Sequence, residues 1–134
     1  MNNTAKKVFL GGTCNGSLWR NELIKMLKID YFNPVVENWT FECMEEEIKQ
    51  REICDYCLYV ITPEMEGVYS IAEAVDDSNK CPNKTFFCVL ENYGGKSFSE
   101  SQLKSLDSVG KMIMRNNGCY FKSLNDVSIV LNRL

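Results

Sequence analysis

Short, β-prone apolar runs alternate along the chain with longer stretches whose apolar residues recur every three or four positions. Lys7 to Leu10 (KVFL) reads as a first strand, ending in a turn-rich loop, Gly11 to Ser17 (GGTCNGS). Trp19, Leu23, Ile24 and Leu27 then share one face of a helix suited to packing on a sheet. Tyr31 to Val36 (YFNPVV) is a second strand; its Pro34 lacks an N–H for the ladder, which predicts an edge position or an early end. Beyond a loop of Asn38, Trp39 and Thr40, the residues Phe41, Met44 and Ile48 line one side of a Glu-rich helix reaching about Cys54. Tyr56 to Ile61 (YCLYVI) is evenly apolar, the pattern of a central parallel strand buried on both faces.

A loop with Pro63 and Gly67 follows, and a third helix is expected from near Ser70, with Ile71, Ala72, Ala74 and Val75 at its start and its end before Pro82. Thr85 to Leu90 (TFFCVL) is a fourth apolar strand, and Glu91 to Phe98 a loop with Gly94 and Gly95. Ser99 with Gln102 forms a capping box ahead of a long helix bearing Leu103, Leu106, Val109, Ile113 and Met114. Asn117-Gly118 is expected to end it, with glycine taking the left-handed conformation. Cys119 to Phe121 is a short fifth strand, and Ser123 with Asp126 opens a last helix with Val127, Val130, Leu131 and Leu134 inward. Five βα units without a linker or repeat predict one domain over residues 1–134. Right-handed crossovers make it a three-layer α/β/α fold, a flavodoxin-like five-stranded parallel sheet of order 2-1-3-4-5.

Composition narrows the chemistry. A hydrophobic share of 45% and a charged share of 25% are those of an ordinary soluble globular protein. A net charge of −3 without a basic cluster argues against a nucleic-acid polymer as partner. No stretch approaches the roughly 18 apolar residues of a membrane span. The start, MNNTAKKVFLGG, has too short an apolar run for a secretory signal, so the seven cysteines are expected as reduced thiols in the cytoplasm. There is no histidine, which removes Ser-His-Asp and Cys-His catalysis and the commonest zinc sets. Acid–base work must therefore fall to carboxylates, Lys, Tyr or Cys.

In an open parallel sheet, ligands sit at the carboxyl ends of the strands. The loops there supply Gly11, Gly12, Thr13, Cys14 and Asn15, then Asn33, Asn38 and Trp39, then Thr62, Glu64, Glu66, Gly67, Tyr69, Ser70 and Glu73, then Asn92 and Tyr93. GGTCNGS is neither a Walker loop nor a dinucleotide fingerprint; it is either a plain turn or a backbone cradle for a ligand. Glu73 also has two readings. It is a carboxylate placed for chemistry at the crevice, or the partner of Ser70 in a Ser70-x-x-Glu73 capping box. Glu47 and Glu52 suit a solvated helix face, and Asp55 suits a helix stop. Cys54-x-x-Cys57 spans a helix end and a strand start, the wrong polarity for an activated thiol, and reads as two inert cysteines.

LGGT in the first loop, WR opening the first helix, NPVV-x-x-W at strand two, Glu47-x(7)-Asp55 before strand three and GVYSIAEA after it occur in a telling order. Over roughly Val8 to Leu90 the chain resembles the nucleoside 2-deoxyribosyltransferase-like superfamily, which includes the deoxynucleoside monophosphate N-glycosidases. The resemblance implies a flavodoxin-like fold and cleavage of the bond between a nucleobase and its (deoxy)ribose. It places the family's glutamate nucleophile at Glu73, a family aspartate at Glu47, here longer by one methylene, and the strand-heading aspartate at Asp55. A further aspartate of the transferases falls on Gly67, which puts transfer in question. Gly11, Gly12, Thr13, Asn15, Asn33, Trp39, Gly67, Tyr69 and Ser70 are the implied substrate-binding set. Trp39, Tyr69 or Tyr93 would stack on the base, and the GGT loop would hold a 5′ hydroxyl or phosphate. The implied partner is a nucleoside or nucleotide, with no metal or redox cofactor required, and the family's shared sites imply a homodimer or larger homo-oligomer.

Other readings of the same pattern are a non-catalytic nucleotide or nucleotide-sugar sensing module, favoured by the changes at Glu47 and Gly67, and an FMN carrier. A receiver domain is disfavoured, because Gly11 and Gly12 stand where it needs paired acids.

Overall fold

The computed structural model describes residues 5–134. The chain runs β1 (Lys7–Gly12), α1 (Trp19–Met26), β2 (Asp30–Phe32), α2 (Phe41–Ile53), β3 (Tyr56–Ile61), α3 (Tyr69–Lys80), a 3₁₀ turn (Pro82–Lys84) and β4 (Thr85–Val89). It continues through β5 (Asn92–Tyr93), β6 (Lys96–Ser97), α4 (Glu100–Arg115), β7 (Cys119–Phe121) and α5 (Leu124–Arg133). Five strands form one parallel sheet in the order β2-β1-β3-β4-β7, the anticipated 2-1-3-4-5 pattern with β7 as its fifth member.

Alternate residues of each strand enter different cores, as the two-residue period of a pleated strand dictates. Val8, Leu10, Leu58, Val60, Phe86 and Cys88 meet Trp19 and Leu23 of α1 and Val127 and Leu131 of α5. Phe9, Cys57, Tyr59, Ile61, Phe87 and Val89 meet Ala74 of α3 and Leu106 and Ile113 of α4. Burial on both faces is why β3 and β4 are apolar without alternation.

The sheet's second strand is shorter than its apolar run suggested. It pairs only over Asp30–Phe32, and Asn33 to Val36 leave the ladder. Pro34 has no N–H to give, and the Asn33 side chain accepts the Val35 N–H at 3.1 Å, turning the chain instead. The loop after β4 carries a two-residue antiparallel hairpin that the sequence did not reveal, closed by Gly94 and Gly95 at φ 61° and 76°. The end of α4 is also different in detail. Asn117, not glycine, takes the left-handed conformation at φ 74°. The Gly118 N–H reaches the Ile113 carbonyl at 2.8 Å, and the Asn117 N–H reaches Met114 at 2.9 Å, a Schellman closure. Leu134, expected inward, is exposed, as is Met114 of α4.

Helix α2 is held differently from the others. Its apolar stripe does not enter a core: Phe41 and Ile48 are exposed, and Gln50 is its one buried residue. Polar contacts at its last turn fix it. Lys84 Nζ donates to the carbonyls of Arg51, Glu52 and Cys54 at 3.3, 2.9 and 3.0 Å, a cation on the negative end of the helix dipole. All seven cysteines are free; Cys54 and Cys57 are buried, and burial pushes the Cys57 thiol up to about 12.

Candidate active site

The first wall of the crevice is built by the end of β1. Gly12 sits at φ 121° against β3, so close that a Cβ would stand 2.1 Å from the Val60 carbonyl oxygen. A Cβ on Gly11 would stand 2.7 Å from the Tyr59 ring. The two glycines are thus required first by packing on the central strand, and they leave bare backbone along the cleft. Thr13 extends the pairing: its N–H donates to Val60 O at 2.8 Å, and its hydroxyl oxygen accepts the Thr62 N–H at 2.9 Å. Trp19 and Arg20 of α1 pin this turn from below. Trp19 Nε1 and Arg20 Nη1 both donate to the Thr13 carbonyl at 2.8 Å, and Arg20 Nε donates to Leu10 O at 2.9 Å. Arg20 is 3% exposed, with carbonyls and the Cys14 sulfur as its only hydrogen-bond partners among the described residues, and burial holds its pKa below the usual range.

The second wall is the start of α3. Its N-cap is Val68, with no side-chain hydrogen bond, and the helix is already under way at Tyr69. Ser70 is therefore the second helical residue and Glu73 the fifth, out of register for a capping box. The capping reading of Glu73 is excluded by this geometry. The carboxylate turns instead toward α2, with Oε2 at 3.7 Å from Arg51 Nη1. That distance is an ion pair without a hydrogen bond, so the oxygens keep their lone pairs.

Between the walls lies a cleft of about 280 Å³ that Glu73, Glu47, Arg51, Gly11, Gly12 and Tyr69 help to line, with Phe9, Pro34, Val35, Met44 and Ile48 as its apolar side. An adjoining compartment of about 220 Å³ takes in Thr13, Asn15 and Gly67, and Gly12, Cys14, Tyr69 and Ser70 border both. Burial pushes Glu73 above the usual carboxylate range; Arg51 opposes this, while Asp77 and Glu47 add to it. Glu47 is raised as well, chiefly by burial, with Trp39 and Arg20 pulling it back. Two carboxylates whose pKa values are raised thus share one cleft.

The other anticipated residues divide. Gly67 borders the second compartment, and a Cβ there would meet nothing within 4 Å among the described residues, so its lack of a side chain is not a packing demand. Asn15, at φ 52°, donates to the Glu64 carbonyl at 3.0 Å and joins the first loop to the third. Trp39 is exposed and reaches the site only through Glu47. Asn33 serves its own turn, leaving Pro34 and Val35 to face the cleft. Asp55 lies apart: it precedes β3 at the amino end, where its Oδ2 accepts the Lys7 N–H at 2.8 Å. Tyr93 packs with the α1–α5 core, and its buried hydroxyl has no hydrogen-bond partner among the described residues, so it does not reach the cleft. Sequence reasoning missed Arg51. Its signal was indirect: Glu73, Asp76 and Asp77 fall on one face of a helix with little positive charge, and such a face needs a cation opposite.

Among the described residues no cluster of three or more His, Cys, Asp or Glu is arranged to hold a metal, and no helix is long and apolar enough to cross a membrane. The fold and the cleft define an α/β protein with a carboxylate site at the strand ends. The profile of the family described as nucleoside 2-deoxyribosyltransferase like matches residues 5–93, and the chain belongs to that family. No curated protein and no solved structure matches the chain.

Proposed function

We propose that the protein binds a nucleoside or nucleoside 5′-monophosphate in the paired compartments and breaks its N-glycosidic bond through Glu73. The observation that carries this reading is the Glu73 carboxylate itself: it lines the cleft, is free of any capping bond, and is paired with Arg51 at 3.7 Å. A Glu73 oxygen attacks C1′, and the C1′–N bond breaks with its electron pair leaving on the base. Glu47 supplies the proton that the base takes up. The resulting glycosyl ester is resolved by water, whose oxygen bonds C1′ as the ester C–O bond breaks and whose proton passes back to Glu47; this returns Glu73 as a carboxylate and frees the sugar, unless a second base takes the sugar instead. The apolar side of the cleft, with Tyr69 at its mouth, holds the base; the β1 loop and the uncapped start of α3 take the 5′ group. Asp55, at the other end of β3, has no part in these steps. The experiment that tests the reading is release of free base by the wild type against Glu73→Gln.

The sign of the pH dependence follows from the two raised carboxylates. Protonated Glu73 cannot attack, so kcat/KM should climb with pH through a limb above the ordinary glutamate value of about 4.3. Loss of the Glu47 proton should then lower it again at higher pH. A pH–rate profile in which the acid limb lies at or below that ordinary value would contradict the assignment.

Val35, Ile48 and Tyr69 leave apolar surface at the cleft mouth, and a second copy is proposed to close it. Light scattering at micromolar concentration should then report at least twice the 15.4 kDa of one chain; a single 15.4 kDa species counts against it. A reducing cytoplasm suits the free thiols. A second reading, a nucleotide-binding module without turnover, draws on Gly67, which leaves the second compartment without the acid that transferases carry there.

A further inference from the structure

We propose that Arg51 is the positioning residue of Glu73, one guanidinium fork holding the nucleophile with one nitrogen while the other two lock it to a buried acid. This rests on Glu73 acting as proposed above. Arg51 Nη2 lies 2.7 Å from Asp77 Oδ1, and Nε lies 3.3 Å from Asp77 Oδ2 and 3.0 Å from the Tyr59 hydroxyl. Tyr59 in turn donates to Asp77 Oδ2 at 2.6 Å. Asp77 is 5% exposed and Tyr59 fully buried in β3, so the anchor is rigid. A planar fork fixed at two corners has its third nitrogen aimed, and Nη1 is aimed at Glu73.

The 3.7 Å separation decides what this contact does. A short hydrogen bond would occupy the oxygen that must attack; a charge just beyond that range favours the ionised form without tying it down. The groups that face Glu73 make such a charge necessary. Glu47 faces it from α2, Asp77 from its own helix, and burial adds to both. Arg51 opposes all three, and also holds Asp76 at 3.2 Å and the Glu73 carbonyl at 3.4 Å. From β3, Tyr59 acts on Glu73 through Arg51, while Arg20 of α1 faces Glu47. Because α2 places only Gln50 in the interior, the same fork also sets where α2, and with it Glu47, stands.

The test is a carbon-detected titration of side-chain carboxylates in glutamate-labelled protein, with the Glu73 signal assigned by its loss in Glu73→Gln. Arg51→Lys keeps a cation beside Asp77, so the fold is expected to hold, but a single ammonium cannot serve both acids. The Glu73 midpoint should rise by about one unit, and by more in Arg51→Gln. The acid limb of base release should move up with it, a shift that a purely structural anchor would not produce. A Glu73 midpoint unchanged in folded Arg51→Lys overturns the proposal, whatever becomes of Arg51→Gln. If the wild type releases no base, the proposed reaction fails, and the titration still decides whether Arg51 controls Glu73.

Discussion

Replacing Gly12 with alanine is expected to destabilise the protein by roughly 3 kcal/mol and to distort the cleft floor with it. Two independent demands meet at this residue. Its φ of 121° is a conformation that side-chain-bearing residues rarely adopt, and a Cβ would stand 2.1 Å from the Val60 oxygen and 2.6 Å from the Val60 nitrogen. Those atoms belong to the backbone of the central strand and cannot rotate away. Gly11→Ala should be milder, because Gly11 has no positive φ and an added Cβ would meet the side-chain rings of Tyr59 and Phe9 instead of strand backbone. Gly67→Ala, with nothing within 4 Å, should stay within about 0.5 kcal/mol of the wild type. Urea unfolding midpoints of the three variants measure this order directly; Gly12→Ala as stable as Gly67→Ala would show that the β1–β3 contact is looser than described.

Glu73→Gln separates catalysis from structure. Base release should fall by at least about a thousandfold, since an amide cannot form the glycosyl ester. Ligand binding should survive, because glutamine keeps the shape and the polar atoms of the side chain. Stability should hold or rise at neutral pH. A carboxylate whose folded-state pKa is raised binds its proton more tightly in the folded state, so its charge weakens the fold increasingly as pH climbs through that raised value. Removing the charge relieves this, while Arg51 keeps Asp76 and Asp77 as partners. Calorimetry for binding and thermal unfolding for stability complete the comparison. A variant that loses binding along with turnover would mark Glu73 as a binding group instead of a nucleophile.

The layered sheet was legible because β3 and β4 are apolar on both faces, and because Pro34 announces the edge strand. What escaped was whatever depends on a partner far along the chain. Ser70 and Glu73 have the spacing of a capping box, and only the observed start of α3 at Tyr69 puts them out of register. Arg51 sits among glutamates on α2, where local spacing suggests surface pairs; its partners Tyr59, Glu73 and Asp77 lie on other elements. Asp55 matched a family position by spacing, yet β3 carries the chain about 20 Å, six residues at strand rise, between it and the cleft. The hairpin of β5 and β6 is two residues a side, too short to show any period. Among the candidate site residues, Gly11, Gly12, Glu47, Tyr69, Ser70 and Glu73 line one cleft. Asn33 is engaged by the Val35 N–H and Trp39 stands exposed, and neither lines the cleft.

The most direct measurement is chromatographic detection of free base after incubation with a panel of ribo- and deoxynucleosides, each with and without a 5′-phosphate. Wild-type protein is predicted to release base from at least one member of the panel, and Glu73→Gln from none, with both proteins folded and both retaining ligand. Base release that persists undiminished in Glu73→Gln, or a folded wild type that releases none from the whole panel, would contradict cleavage at C1′ through Glu73.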